Sequence, residues 1–265
     1  MYHVSELYIY PVKSLAGISL SNAEVFPRGF KYDRRWVIVN DQNRFLTQRT
    51  LPMLTQFGIQ LRNSEIVVYD KRKSSSSISF PIEMKTGNTG SVRIWNSDVN
   101  AIFADDEVNE WFSSAVEQDV RLAYMPDSSS RLIGHENSGD HIVSFADFSP
   151  YHILGEQSFE HLNKKLNKQI TINRFRPNII FTGGNPHDED SWLDLVIGNV
   201  HFKGVKNCGR CKVPDLDPDT GESDGEPSRV LKSYRSENDG VYFGRYLVAE
   251  SAGNISVGDL LSICN

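Results

Sequence analysis

The sequence predicts an α+β fold that is strongly β-rich, with a β-rich N-terminal part followed by a second β-rich unit that holds inserted helices. Three observations carry this expectation. Short apolar stretches with period-two alternation recur along most of the chain. Turn-forming residues separate them. Only two segments show helical periodicity. With 265 residues, 39% of them hydrophobic, the chain can build one large or two small domains around an ordinary core.

The elements follow in order. Leu7 and Ile9 alternate with Glu6, Tyr8 and Tyr10, and Pro11 ends that first strand. Trp36-Val37-Ile38-Val39 is an apolar run, and Asn40-Asp41-Gln42-Asn43 turns it into Arg44-Phe45-Leu46-Thr47, a hairpin pattern. Similar short units lie at 66–69, 78–80 and 92–95, while the serine run 74–77 is too polar to pack and reads as a loop. Asp105-Asp106-Glu107 places acids at a helix start, after which Val108, Trp111, Phe112, Ala115 and Val116 share one face. A second helix is expected over 158–166, with Phe159, Leu162 and Leu166 on its apolar side and Lys164, Lys165 and Lys168 toward its end. Leu195-Val196-Ile197 and Val200-His201-Phe202 flank Gly198-Asn199, a two-residue hairpin signal. Stretches 242–248 and 255–257 complete the set, and a boundary near the first helix divides the chain into 1–115 and 116–265.

Composition excludes several classes. Lys plus Arg is 28 against 34 Asp plus Glu, a net charge of −6, which disfavours broad nucleic-acid binding. No apolar run is long enough to span a membrane, and the N-terminus has neither a cationic start nor an apolar signal core. Three cysteines, one next to last, make no disulfide framework, so a reducing cytoplasm is expected.

Cys208-Gly209-Arg210-Cys211 is the first chemical candidate. Structural zinc lacks its other ligands, and thioredoxin-type chemistry would need a helix where Lys212-Val213-Pro214-Asp215 stands. Two readings stay open: one working thiolate favoured by Arg210 and Lys212, or two small buried hydrophobes. The acidic stretch from Asp215 to Glu226 is out of EF-hand register and reads as a solvated turn. Cations cluster at strand ends: Lys13 and Ser14 after the first strand, Asp33-Arg34-Arg35 before the second, and Arg174 and Arg176 before Ile179-Ile180-Phe181. In a net-acidic chain these could converge as an anion site, or each could pair with a surface acid. Gly183-Gly184 lacks nucleotide-loop spacing, no G-x-S-x-G elbow occurs, and His135, His141 and His152 have no nucleophile beside them. Asp147 and Ser149, in Ser144-Phe145-Ala146-Asp147-Phe148-Ser149-Pro150, fit a helix cap.

These same residues carry a resemblance. Asn173-Arg174-Phe175-Arg176-Pro177-Asn178-Ile179, then Glu189-Asp190-Ser191-Trp192, then Cys208-Gly209-Arg210-Cys211 with Asp217-Pro218-Asp219-Thr220-Gly221 resemble the MOSC domain. Tyr10-Pro11-Val12-Lys13-Ser14 and Asp33-Arg34-Arg35-Trp36 resemble the β-barrel domain that precedes it in the amidoxime-reducing components and their bacterial relatives. The resemblance implies a barrel-like N-terminal domain, a MOSC β-barrel with inserted helices, and a molybdenum–molybdopterin cofactor whose protein thiolate ligand is Cys211 and not Cys208. It places the phosphate-gripping residues at Lys13, Ser14 and Arg34, and the pterin contacts at Phe148, Ser149, Arg176, Asn178, Gly209 and Arg210. An aspartate that tunes or relays protons near the metal falls on Asp147.

The implied activity is reduction of N-oxygenated compounds such as N-hydroxylated bases, amidoximes, hydroxylamines and N-oxides. Such a role is one of detoxification. The chain starts almost at its first strand and carries no four-cysteine set, so no membrane anchor is expected, and electrons would come from a separate flavin or iron–sulfur protein. Phe148 stands where relatives often have a small hydroxyl residue, which bears on the substrate range. MOSC domains also occur in sulfur-carrying proteins, which would make Cys211 a persulfide site.

Overall fold

The computed structural model describes residues 1–73, 75–135, 139–238 and 240–264. Its centre is a closed barrel. Around it run Tyr151–Gly155, Ile179–Thr182, Tyr2–Ile9, Leu260–Cys264, Asp194–Ile197, Val200–Gly209 and Gly240–Ala249, and the last pairs back onto the first. Only the pairing of Tyr151–Gly155 with Ile179–Thr182 is parallel within this ring. Alternation builds it: Leu7, Ile9, Ile153, Phe181, Leu195, Ile197, Phe202 and Leu247 turn inward to one buried core.

The first strand therefore belongs to the barrel, between Ile179–Thr182 and Leu260–Cys264, although it lies at the far end of the sequence from its partners. The division at 115/116 does not cut the structure cleanly, for two reasons. Tyr2–Ile9 sits in the later unit's barrel, and Val120–Tyr124 pairs with Trp36–Asn40 in a four-stranded sheet with Thr89–Ile94 and Ser97–Phe103. Hydrogen-bond ladders, which no local pattern specifies, decide both memberships.

That sheet and a three-stranded one, Phe57–Arg62, Glu65–Asp70 and Ser77–Pro81, enclose a second core around Trp36, Ile38, Phe57, Val68 and Phe80. Helix Asp106–Val116 closes it with Val108, Phe112 and Val116 buried, the face expected from sequence. Of the serine run, Ser74 lies outside the described residues and Ser77 begins a strand. The expected hairpin after Trp36–Asn40 is reduced to one bridge, Val39 to Phe45, because the segment is shared with Thr89–Ile94, where the Phe45 N–H donates to the Arg93 carbonyl. The hairpin at Gly198-Asn199 forms as expected, with Ile197 opposite Val200 and Gly198 at φ 58.

The second helix runs Glu156–Asn163, two residues earlier than expected and ending before Leu166. A third, Glu226–Arg235, starts at the last residue of the acidic stretch and is not among the expected helices. Pro227 in its first turn and the spacing of Val230, Leu231 and Tyr234 were the missed signals; Leu231 is buried with Leu162, Phe175 and Phe243. The acidic stretch is solvated at its centre, where Asp219, Glu222 and Asp224 are exposed, and anchored on either side. Asp215, 3% exposed, accepts from the Ser228 N–H, and Asp217 accepts from Arg174 at 2.9 Å.

Gly204 marks a close approach. The strand Val200–Gly209 shifts register there, and a methyl at Gly204 would overlap the Trp192 carbonyl and the Arg245 guanidinium. A backbone carbonyl cannot swing aside, so Gly204→Ala is expected to lower stability by about 3 kcal/mol in chemical denaturation. A change below about 0.5 kcal/mol would show that the strand can shift as a unit.

Candidate functional site

Chain ends converge at one end of the barrel. Lys13 and Ser14 leave Tyr2–Ile9, Ser149 precedes Tyr151–Gly155, Arg176 and Asn178 precede Ile179–Thr182, and Arg210 and Cys211 leave Val200–Gly209. They line a single pocket of about 210 Å³ together with Arg34, Asp147, Phe148 and Gly209, so every residue that the resemblance assigns meets there, whereas the strand-end cations Arg35 and Arg174 lie outside it. Thr47, Gln48 and Arg49 close it from the N-terminal side.

Lys13 is 5% exposed, and its Nζ donates to the Phe145 carbonyl at 2.6 Å and to Asp147 Oδ1 at 2.5 Å. Burial pushes the ammonium down to about 8, although Asp147 pulls it up. Burial alone would raise Asp147, but the charge of Lys13 and its hydrogen bond, with Arg49 and the Trp95 indole behind them, hold that carboxyl well below the usual carboxylate range. A carboxylate so held is ionised near neutral pH and anchors the Lys13 ammonium.

Arg34 and Arg176 both stand in left-handed backbone, at φ 51 and 56, and both stack on the Tyr10 ring, at 4.6 and 4.2 Å. Arg34 donates to Asp33 at 2.5 Å, to Asn178 Oδ1 at 3.1 Å and to the Arg176 carbonyl at 3.2 Å. Asn178, 1% exposed, gives its Nδ2 to the Tyr8 carbonyl and receives the His152 N–H. Its side chain thus fixes Arg34. Ser149 donates its hydroxyl to the Leu247 carbonyl at 2.7 Å, and Phe148 packs 5.2 Å from Tyr246.

The two cysteines differ. Cys208 is 3% exposed, its thiol is pushed up by burial, and its sulfur accepts from Arg210 Nη1 at 2.8 Å. Arg210 also donates to the Phe175 carbonyl at 3.1 Å, so its guanidinium bonds Cys208 rather than serving Cys211 alone. Cys211 is partly exposed and lines the pocket. Arg210 Nε and His152 Nε2 are buried without a hydrogen-bond partner. Burial and the neighbouring Arg210 and Arg34 charges hold His152 well below the ordinary imidazole value. Arg49 and Tyr246 escape the sequence reading, and His152 enters it only as a histidine with no nucleophile beside it, since nothing local separates them from core or surface residues. Gly244 was the one trace of His152: at φ 76, a side chain there would meet the His152 ring.

A closed barrel with a cationic pocket and one accessible thiol at its mouth defines a MOSC-type protein. Residues 1–119 match the MOSC N-terminal beta barrel domain, and residues 140–262 match the MOSC domain. Mitochondrial amidoxime reducing component 2 of Bos taurus is 33% identical, with 97% of this chain and 81% of that protein covered. Mitochondrial amidoxime-reducing component 1 is 32% identical in Mus musculus, covering 97% and 80%, and 32% in Homo sapiens, covering 97% and 81%. The chain belongs to this MOSC-domain family of amidoxime-reducing components. Among the described residues no helix is long and apolar enough to cross a membrane.

Proposed function

We propose that the chain is a molybdenum-cofactor-dependent reductase of N-oxygenated compounds that draws electrons from a separate flavin or iron–sulfur protein. One observation carries this reading: a single accessible thiol, Cys211, shares a pocket with Lys13, Arg34, Arg49, Arg176 and Arg210 around one carboxylate, Asp147. The residues fit a phosphate-bearing group that ends in a soft metal. The buried, unpartnered Arg210 Nε offers a donor, the excess cations offer an anion clamp, and the thiol is a soft ligand. The similar proteins are named for amidoxime reduction.

When bound, the cofactor supplies two-electron chemistry at a metal able to accept oxygen. Everything else falls to the chain. Cys211 Sγ ligates, while Cys208 stays buried and steadies Arg210. Lys13, Ser14 and Arg34 grip the phosphate, with Asp33 and Asn178 holding the Arg34 fork in place. Arg176 bears on the pterin, held by Tyr10 and by its bond to the Leu15 carbonyl at 2.7 Å. Ser149, its hydroxyl committed to Leu247, contributes through its backbone, beside Phe148 and Gly209. Asp147, half exposed at the mouth, accepts a hydrogen bond from the substrate's N–H or O–H.

The test is metal and pterin content after expression with molybdate in a cofactor-competent host, followed by benzamidoxime turnover with an artificial donor. Near-stoichiometric molybdenum and a fluorescent pterin oxidation product are expected. Protein that binds neither sinks the reading, and persulfide transfer to Cys211 becomes the next assay.

A further inference from the structure

Trp95 breaks two local rules. It occupies the first position of the two-residue turn between Thr89–Ile94 and Ser97–Phe103, at φ 53, where Asn or Gly ordinarily stands. It is also 46% exposed, although tryptophan is the most costly side chain to leave in water. Strained, exposed residues that persist point to function.

Its neighbours are those of the pocket. The indole Nε1 donates to Asp147 Oδ1 at 3.2 Å, the Arg49 guanidinium lies 4.7 Å from its ring, and Phe45 packs at 5.1 Å. Lys13 Nζ in turn lies 5.5 Å from the Phe45 ring. The indole is therefore clamped beside two pocket-lining residues, Asp147 and Arg49, with part of its surface exposed, so a ligand that lands on it orders little.

We propose that Trp95 is a substrate platform that selects planar, aryl-conjugated N-hydroxylated compounds. This rests on the reductase reading and names the substrate class of that site. A flat π-system stacks on the indole, whereas a tetrahedral amine N-oxide has no flat face to offer.

Benzamidoxime and acetamidoxime share the reacting group and differ by the ring, so their selectivity ratio in kcat/KM reads the platform. Trp95→Gly is expected to lower that ratio about tenfold and to weaken benzamidoxime binding to the cofactor-free protein about tenfold by ligand-observed NMR, about 1.4 kcal/mol. Trp95→Phe, which keeps a ring but loses the N–H, is expected to hold both within about threefold. The melting temperature of Trp95→Gly is expected not to fall, since glycine relieves the left-handed turn. An unchanged ratio, with both substrates losing activity together, overturns the platform and leaves Trp95 as a residue that only positions Asp147. If the loaded wild type reduces neither amidoxime, the reductase reading fails, and the NMR affinities of wild type and Trp95→Gly still decide the platform.

Discussion

Cys211→Ala is expected to purify without molybdenum and to lose benzamidoxime turnover by on the order of 10³-fold, with its denaturation midpoint almost unmoved. The thiol is partly exposed at the pocket, so its removal leaves no packed cavity. Cys208→Ala is the contrasting variant. Its sulfur is buried and accepts from Arg210, so alanine leaves a guanidinium short of a partner and costs about 1–3 kcal/mol. It is expected to keep the metal. Elemental analysis beside urea denaturation separates the two, and equal metal loss in both variants would contradict a single thiolate ligand.

Anion affinity in the pocket is expected to fall as pH rises through about 8, the value to which burial depresses Lys13 in the ligand-free protein. Sulfate is a suitable probe because it does not titrate there. Above that pH the ammonium loses its proton, and affinity drops by up to about tenfold per unit until the other cations alone hold the anion. Lys13→Met is expected to flatten the profile and weaken binding at pH 7. Asp147→Asn acts in two directions. It frees Lys13 and strengthens sulfate binding below the break, yet it moves the break to lower pH, because Asp147 raises the Lys13 value. A break that stays in place in Asp147→Asn would mean that another group sets it.

The linked stability effects have the same sign in different pH windows. The Lys13 value lies below its ordinary 10.5, so the unfolded chain binds more protons between about 8 and 10.5, and this group's contribution to stability rises across that window. Asp147 lies below its ordinary 3.8, so its contribution is present above that value and is lost as pH falls below it.

Much of this architecture could be read locally. The helix Asp106–Val116 announces itself by acids at its start and one apolar face, and the Gly198-Asn199 hairpin by its turn chemistry. The site residues lay in motifs whose order along the chain is distinctive, and all of them line one pocket. The third helix was obscured because Asp215, Asp217 and Glu226 look solvated in one dimension, whereas Arg174 and the Ser228 and Asn167 N–H groups take up their carboxylates.

What the sequence by itself determined was the β-rich class, the periodic faces and the chemistry at the strand ends, because apolar spacing, turn residues and motif identity act over a few neighbours. Only the tertiary structure decided that Tyr2–Ile9 closes a barrel with strands more than 170 residues later, since ladder pairing depends on edges that meet after collapse. It also decided the division of labour within the site. Asn178 and Asp33 hold Arg34, Arg210 turns to Cys208, Lys13 is bound by Asp147, and Trp95 donates to Asp147. Each of those roles follows from which donor lies within about 3 Å of which acceptor, a property of folded space that residue order does not carry.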